Sequence, residues 1–142
     1  MITNILSILL FTIFFILGSI HFYWAFGGKW AIKNAIPTKS ENETTSFRPS
    51  FLATLSVGLV LVAFAFFYLN QINFINVKSP KWTNLLLWVL PLLFLLRSIG
   101  EFKYVGFFKS IKTTNFAKWD TKLYVPLCFA ISIIGFLIFY LK

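Results

Sequence analysis

The chain has 142 residues, of which 58% are hydrophobic and only 12% are charged, and its formal net charge is +9. This composition excludes an ordinary soluble domain and predicts an integral membrane protein, because helices that face lipid need no polar surface. The Lys and Arg residues lie beside apolar runs and outside any nucleic-acid-binding motif, so they predict contact with anionic lipids and no nucleic-acid partner. The single cysteine, Cys128, excludes an internal disulfide and a multi-cysteine metal site.

Four apolar runs are long enough to cross a hydrocarbon core of about 30 Å at about 1.5 Å per residue. We therefore predict an all-α, polytopic membrane protein: one transmembrane domain, built as a four-helix bundle with both termini on the same side. Gly27 and Gly28 are expected to end the first span, because glycine accepts the left-handed backbone that closes helices. Asp120 is predicted to be the N-cap of the last span. The predicted spans are residues 4–26, 50–69, 82–102 and 123–141.

The third span carries a charge close to one end. Only fifteen uncharged residues separate Lys81 from Arg97, which is about 22 Å of helix and too short to cross. The helix is therefore predicted to continue past Arg97 to about Glu101 or Phe102. On such a helix Arg97 and Glu101 are spaced for a local ion pair, although Arg97 could instead reach the boundary by itself or bind an anion.

Basic residues are distributed unevenly between the two sides. The first and third connections share one side and hold ten of the thirteen Lys and Arg residues, whereas the other side holds three. The positive-inside rule predicts that these two connections are cytoplasmic and that both termini lie outside the cytoplasm. His21, Gly27 and Gly28 would then lie on the same face as Arg97, Glu101 and Asp120.

Two segments resemble a known family. They are His21–Gly28, with the sequence HFYWAFGG, and the run from Arg97 through Lys109 to Leu127. Both are similar to a small bacterial membrane family that is catalogued as domain of unknown function 3995, and the resemblance covers nearly the whole chain. It implies a four-span protein of the bacterial inner membrane. It brings no activity, cofactor or catalytic residue.

The first functional hypothesis is a binding protein. Arg97, Lys103 and Lys109, with the Gly27-Gly28 backbone, would hold an anionic headgroup or a small anion at the cytoplasmic leaflet. Membrane lipids, chiefly anionic ones, are the predicted partners. The full set of candidate ligand-binding residues is His21, Gly27, Gly28, Arg97, Glu101, Lys103, Lys109 and Asp120.

Two other classes of function stay open. One is an enzyme that acts on a lipid-like substrate with His21 and Glu101 as an acid–base pair, but the sequence has no nucleophile or metal motif and we favour a protein without catalytic activity. The other is an accessory subunit of a larger membrane complex or an oligomeric transporter, with partner membrane subunits or further copies of the chain. No cofactor or metal is predicted, and no catalytic residue is assigned.

Overall fold

All regular secondary structure in the described part of the chain is helical. A computed structural model describes residues 1–37, 49–72 and 82–142. A π-helical turn joins the last two helices, so that the chain is continuously helical from Asn115 to Leu141. The elements are α1 (Ile2–Ala25), α2 (Ile32–Ala35), α3 (Phe51–Leu69), α4 (Trp82–Ile99), α5 (Asn115–Trp119), the π turn (Asp120–Tyr124) and α6 (Val125–Leu141).

Four helical stretches are long and apolar enough to cross a membrane. They are α1, α3, α4 and the continuous helix Asn115–Leu141. The first three match the predicted spans to within a few residues at each end, and the fourth begins earlier than predicted. The protein is therefore an all-α, multi-pass membrane protein, as the composition indicated.

Helix α4 ends earlier than the third predicted span. Gly100 follows it in the left-handed region, with φ +85°, and its amide still donates to the carbonyl of Leu96 at 2.9 Å. This is a glycine termination, which needs no side chain to be fitted at positive φ. The eighteen residues of α4 measure about 27 Å, so the helix nearly matches a hydrocarbon core of about 30 Å without extending to Glu101.

The fourth spanning helix starts at Asn115, and Asp120 is not its N-cap. The side chain of Thr114 accepts a hydrogen bond from the amide of Ala117 at 3.1 Å, which is the capping interaction. The π turn that follows has a physical reason in Pro126, which lacks an N–H and whose ring would meet the carbonyl four residues earlier. The amide of Val125 bonds instead to the carbonyl of Asp120, five residues back, so the widened turn precedes the proline.

The described residues divide into two compact units, and α4 and α6 contribute to both. The first unit comprises Met1–Gly28, Pro49–Val89 and Ile134–Lys142. In it α1 packs along α3 at two glycines. A Cβ on Gly18 would lie 2.7 Å from the side chain of Val62, and a Cβ on Gly58 would lie 2.9 Å from the ring of Phe22. Small residues thus allow the two helices to approach closely, as is usual in membranes.

Two further features belong to the first unit. The ring of Phe14 stacks on that of Tyr68, with centroids 5.8 Å apart, and both side chains are fully buried. The hydroxyl of Tyr68 has no hydrogen-bond partner among the described residues. At the end of α6 the ammonium of Lys142 donates to Gln71, and partial burial lowers the pKa of this ammonium.

The second unit comprises residues 29–48, of which 29–37 are described, and Leu90–Ile133. It contains α2, the end of α4, the connection 100–114, α5, the π turn and the start of α6. Helix α2 packs against α5, and the hydroxyl of Tyr124 donates to the carbonyl of Asn34 at 3.2 Å. This unit holds the polar cluster described next.

Candidate anion-binding cluster

Asp120 is the centre of the polar cluster, and its side chain is fully buried. One carboxylate oxygen, Oδ1, accepts a hydrogen bond from Nη2 of Arg97 at 3.0 Å. The other, Oδ2, accepts from the ammonium of Lys109 at 3.0 Å and from the amide of Gly106 at 2.9 Å. Three donors, two of them charged, therefore satisfy a carboxylate that has no access to solvent, which is the condition under which a buried charge is tolerated.

Lys109 is almost as deeply buried as Asp120. Only 2% of its side chain is exposed, and its ammonium donates to three acceptors. Besides Asp120 these are the hydroxyl of Thr121 at 2.6 Å and the carbonyl of Gly106 at 3.2 Å. An ammonium has three N–H donors and no acceptor, so all the donors of Lys109 are used inside the protein.

The connection that carries Lys109 closes on itself at two glycines. Gly106 has φ +99°, and a Cβ on it would lie 2.2 Å from the carbonyl oxygen of Ile99 and 2.5 Å from Cα of Gly100. Only glycine fits such a backbone contact. The amide of Phe107 then donates to the carbonyl of Ser98 at 2.9 Å, which ties the loop to the last turn of α4.

A second set of hydrogen bonds fixes the far side of the loop. The amides of Ser110 and Ile111 donate to the carbonyls of Phe102 and Lys103, both at 3.0 Å. The hydroxyl of Ser110 donates to the same carbonyl of Phe102 at 2.8 Å. The segment 100–111 is thus a closed loop with its own backbone bonds, and it presents the Gly106 amide and Lys109 to Asp120.

Arg97 bonds to Asp120, so the predicted pairing of Arg97 with Glu101 is wrong. Because α4 ends at Ile99 and Gly100 turns the chain, Glu101 does not lie one helical turn beyond Arg97. Within the described part of the chain, the guanidinium is held through Nη2. Nη1 is a buried atom without a hydrogen-bond partner among the described residues, although 36% of the whole side chain is exposed.

The cluster has an excess of positive charge. Arg97 and Lys109 each carry one positive charge, and Asp120 supplies one negative charge between them. Within this cluster of described residues the two cations exceed the one carboxylate by one charge, and charges near a low-dielectric region are poorly screened. The arrangement is therefore chemically suited to hold an additional anion beside Arg97.

Three predicted site residues belong to the first unit, where their hydrogen bonds are local. Nδ1 of His21 lies 2.8 Å from the carbonyl of Leu17; a carbonyl only accepts, so Nδ1 carries the proton. The amides of Gly27 and Gly28 donate to the carbonyls of Trp24 and Tyr23 at 3.1 and 2.8 Å. Gly27 has φ +92°, so this is the predicted glycine termination of α1, and it occupies both amides that were predicted to hold an anion.

The remaining two candidates lie on the surface of the loop. Glu101 and Lys103 are both exposed. The ammonium of Lys103 lies 5.3 Å from the centre of the Tyr104 ring, within the range of a cation–π contact. Of the eight predicted residues, the structure thus brings together Arg97, Lys109 and Asp120.

Sequence reasoning missed two members of the cluster, Gly106 and Thr121. Each acts through a group that sequence patterns describe poorly, a backbone amide and a hydroxyl that accepts from a lysine. One signal was present. Gly100 and Gly106 lie six residues apart in a segment with few other glycines, and such a pair is typical of a tight loop with close backbone approach.

The fold and the cluster define a class of protein: a small multi-pass membrane protein in which a buried aspartate holds two cations beside the end of a spanning helix. Comparison with known families is more specific. A family described as "Protein of unknown function (DUF3995)" matches residues 14–135. The chain belongs to this family, as its sequence indicated. No curated protein and no solved structure matches the chain at a significant level.

Proposed function

We propose that this protein binds an anionic group at Arg97, either the phosphate of a lipid headgroup or a small inorganic anion. The observation that supports the proposal is the incomplete pairing of this guanidinium. Nη2 is fixed on Asp120, whereas Nη1 is buried without a partner among the described residues. A buried donor that lacks an acceptor costs free energy, and an anion that approaches Arg97 would remove this cost.

The charge of the cluster supports the same assignment. Both cations lie 3.0 Å from Asp120, but Lys109 is buried with all its donors used, whereas 36% of the Arg97 side chain is exposed, so the surplus positive charge is accessible at Arg97. Exposed Lys103 and Lys112 on the same connection add positive charge near the boundary, where anionic headgroups are attracted by about 1 kcal/mol per basic residue. Lys109 has a structural role in this proposal and does not contact the anion.

The anion would lie on the side that the distribution of basic residues predicts to be cytoplasmic. Arg97 occupies the last turn of α4, which is the depth at which a long basic side chain reaches the phosphate layer. The ligand is therefore a group of the membrane surface and not one of the bilayer midplane.

The test compares two variants in mixed micelles of detergent and lipid, and each variant replaces one basic side chain by neutral glutamine. Arg97→Gln should lower the retention of phosphatidylglycerol, measured by native mass spectrometry, by about tenfold or more, since a hydrogen bond to a charged group contributes about 1.5–3 kcal/mol. Lys103→Gln is the matched control, because it removes an exposed positive charge that makes no contact with Asp120. Phosphatidylcholine retention should be the same in all three proteins.

Two further measurements separate the sources of the anion. Inorganic phosphate that displaces phosphatidylglycerol from the wild type would assign the site to a free anion, and failure to displace it would assign the site to a headgroup. Retention of anionic lipid should also fall as salt rises, because partly exposed contacts are screened. Equal losses in Arg97→Gln and Lys103→Gln would mean that binding is diffuse and would refute a site at Arg97.

A further inference from the structure

The loop 100–111 presents three phenylalanines on its outer surface. Phe102, Phe107 and Phe108 are 60%, 53% and 66% exposed, respectively. The rings of Phe102 and Phe108 lie together, with centroids 6.3 Å apart. We call these three residues the aromatic loop surface. Large apolar side chains at such exposure, grouped on a segment outside the spanning helices, mark a surface that contacts something apolar.

The loop that carries these rings is held firmly. Several contacts hold the twelve residues 100–111 in place. The loop closes at Gly100 and Gly106, the amide of Phe107 bonds to Ser98, and two further backbone bonds reach Phe102 and Lys103. The exposure of the rings is therefore a property of the folded loop. Burying them inside the unit would require these bonds to break.

Phe102 combines an unusual backbone conformation with an exposed ring. Phe102 has φ +67°, a conformation that bulky residues adopt rarely and at a cost. Glycine, or at a smaller cost asparagine, is the usual residue at such a turn. Strained positions cluster at functional sites, which supports a role for this exposed ring in contact with another apolar surface.

Phe107 connects the loop to the spanning part of α6. Its ring meets the ring of Phe129 edge to face, with centroids 6.1 Å apart, and Phe129 is itself 41% exposed. Phe129 lies seven residues after Lys122, the last charged residue before the apolar run of α6, which is about 10 Å along the helix. It therefore lies inside the hydrocarbon core.

We propose that the aromatic loop surface is inserted into the acyl chains of the leaflet in which α4 and α6 meet the headgroups. The lipid-facing surface of α6 at Phe129 continues directly onto Phe107, so the same acyl chains that cover one ring cover the other. Lys103 and Lys112 are exposed on the same loop and reach the headgroups above, an arrangement typical of interfacial segments with rings below and basic residues at the surface. This inference does not depend on the proposed anion site.

The occupant is lipid and not a second protein chain. The aromatic loop surface continues the apolar surface of a spanning helix, and its rim carries basic residues that match anionic headgroups. A soluble partner would instead require the rings to stand in water on the far side of the headgroups, away from Phe129. The contact between Phe107 and Phe129 argues against that placement.

The test measures the depth of spin labels in vesicles of phosphatidylcholine with a minority of phosphatidylglycerol. Labels are placed by cysteine substitution in a Cys128→Ala background at three exposed positions. Phe108→Cys reports on the aromatic loop surface, Leu96→Cys on the lipid-facing side of α4, and Glu101→Cys on a polar position of the same loop. Collision with molecular oxygen reports lipid exposure, and collision with a water-soluble nickel chelate reports exposure to water.

The label at Phe108 should collide with oxygen as often as the label at Leu96 does and with the nickel chelate several-fold less often than the label at Glu101. A label at Phe108 that meets the nickel chelate as readily as the one at Glu101 would overturn the proposal. Protection from both reagents would also overturn it, because that result would assign the surface to a protein contact.

A second measurement needs no substitution. The wild-type protein is reconstituted with a phospholipid that carries a photoactivatable group on its acyl chain, and the crosslinked peptides are mapped by mass spectrometry. Crosslinks are expected within residues 102–108 as well as on α6 near Phe129. Crosslinks on α6 with none on 102–108 would overturn the proposal even if a loop variant failed to fold.

Discussion

Asp120→Asn tests the cluster most directly, because asparagine keeps the size of the side chain and removes its charge. The carboxylate oxygens lie 3.0 Å from the nitrogens of Arg97 and Lys109. At that distance two unit charges attract by about 5–6 kcal/mol with an effective dielectric constant of about 20. Desolvation offsets part of this attraction. Breaking a buried pair by removing one partner nevertheless costs about 3–5 kcal/mol, since the other charge stays buried.

In Asp120→Asn, the described neighbours of residue 120 offer no acceptor to the new NH₂ group. The three neighbours of Asp120 are the guanidinium of Arg97, the ammonium of Lys109 and the amide of Gly106, and all three donate. Whichever way the new amide turns, its NH₂ group faces a donor. We therefore expect Asp120→Asn to lower the free energy of unfolding by about 3–5 kcal/mol, a large share of the total of about 5–15 kcal/mol that is typical of a domain.

The assay is equilibrium unfolding in mixed micelles of a mild detergent and sodium dodecyl sulfate, followed by helical circular dichroism. Glu101→Gln is the matched control, because it neutralises an exposed carboxylate on the same loop, and its effect should stay within about 0.5 kcal/mol. Lys109→Met combined with Asp120→Asn should cost clearly less than the sum of the single changes, since both remove one interaction. A loss under about 1 kcal/mol for Asp120→Asn, or strict additivity with Lys109→Met, would refute the description of Asp120 as the charged centre.

Three further predictions concern other parts of the chain. Gly106→Ala should destabilise the protein by several kcal/mol more than Gly27→Ala. Both glycines have positive φ, but of the two only Gly106 would place a Cβ against backbone, at 2.2 Å. Equal losses in the same unfolding assay would contradict the close contact. Tyr68→Phe should leave stability unchanged or raise it by up to about 1 kcal/mol, because it removes a buried hydroxyl without a partner among the described residues and keeps the ring; a loss above about 1 kcal/mol would reveal a missing partner. A phosphatase reporter fused after Lys142 should be active outside the cytoplasm, as the distribution of basic residues predicts, and an inactive fusion beside an active cytoplasmic reporter would reverse the topology.

The spanning helices could be predicted because they depend on composition along one stretch of chain. The limits of α1 and α3 follow from apolar runs with glycine or polar residues at their ends, and the structure agrees to within two residues. The prediction puts the end of α4 too late because it requires the helix to cross the full hydrocarbon thickness. The eighteen residues of Trp82–Ile99 nearly suffice, and Gly100 ends the helix.

The partner of Arg97 could not be predicted from spacing. Glu101 lies four residues away in sequence and Asp120 lies twenty-three away, so a local rule selects the wrong carboxylate. The choice depends on the path of the loop 100–111, which Gly100 and Gly106 fix through contacts that exist only in three dimensions. The prediction of Asp120 as a helix cap is wrong because the helix begins at Asn115, eight residues before the predicted span 123–141.

The proposed anion site at Arg97 and the aromatic loop surface depend on Asp120 in different ways, so substitutions can separate them. Arg97→Gln leaves Lys109 and the amide of Gly106 bonded to the carboxylate, so the loop keeps its attachment while the surplus charge disappears. Anion retention should then be lost while the label at Phe108 stays in lipid. Asp120→Asn removes the negative charge that Lys109 contacts and replaces one of the two acceptor oxygens by a donor, so the attachment of the loop to residue 120 is weakened and the depth of that label should change. Loss of anion binding without a change of depth would therefore locate the site at Arg97, whereas loss of both in Arg97→Gln would mean that the anion itself holds the loop in place.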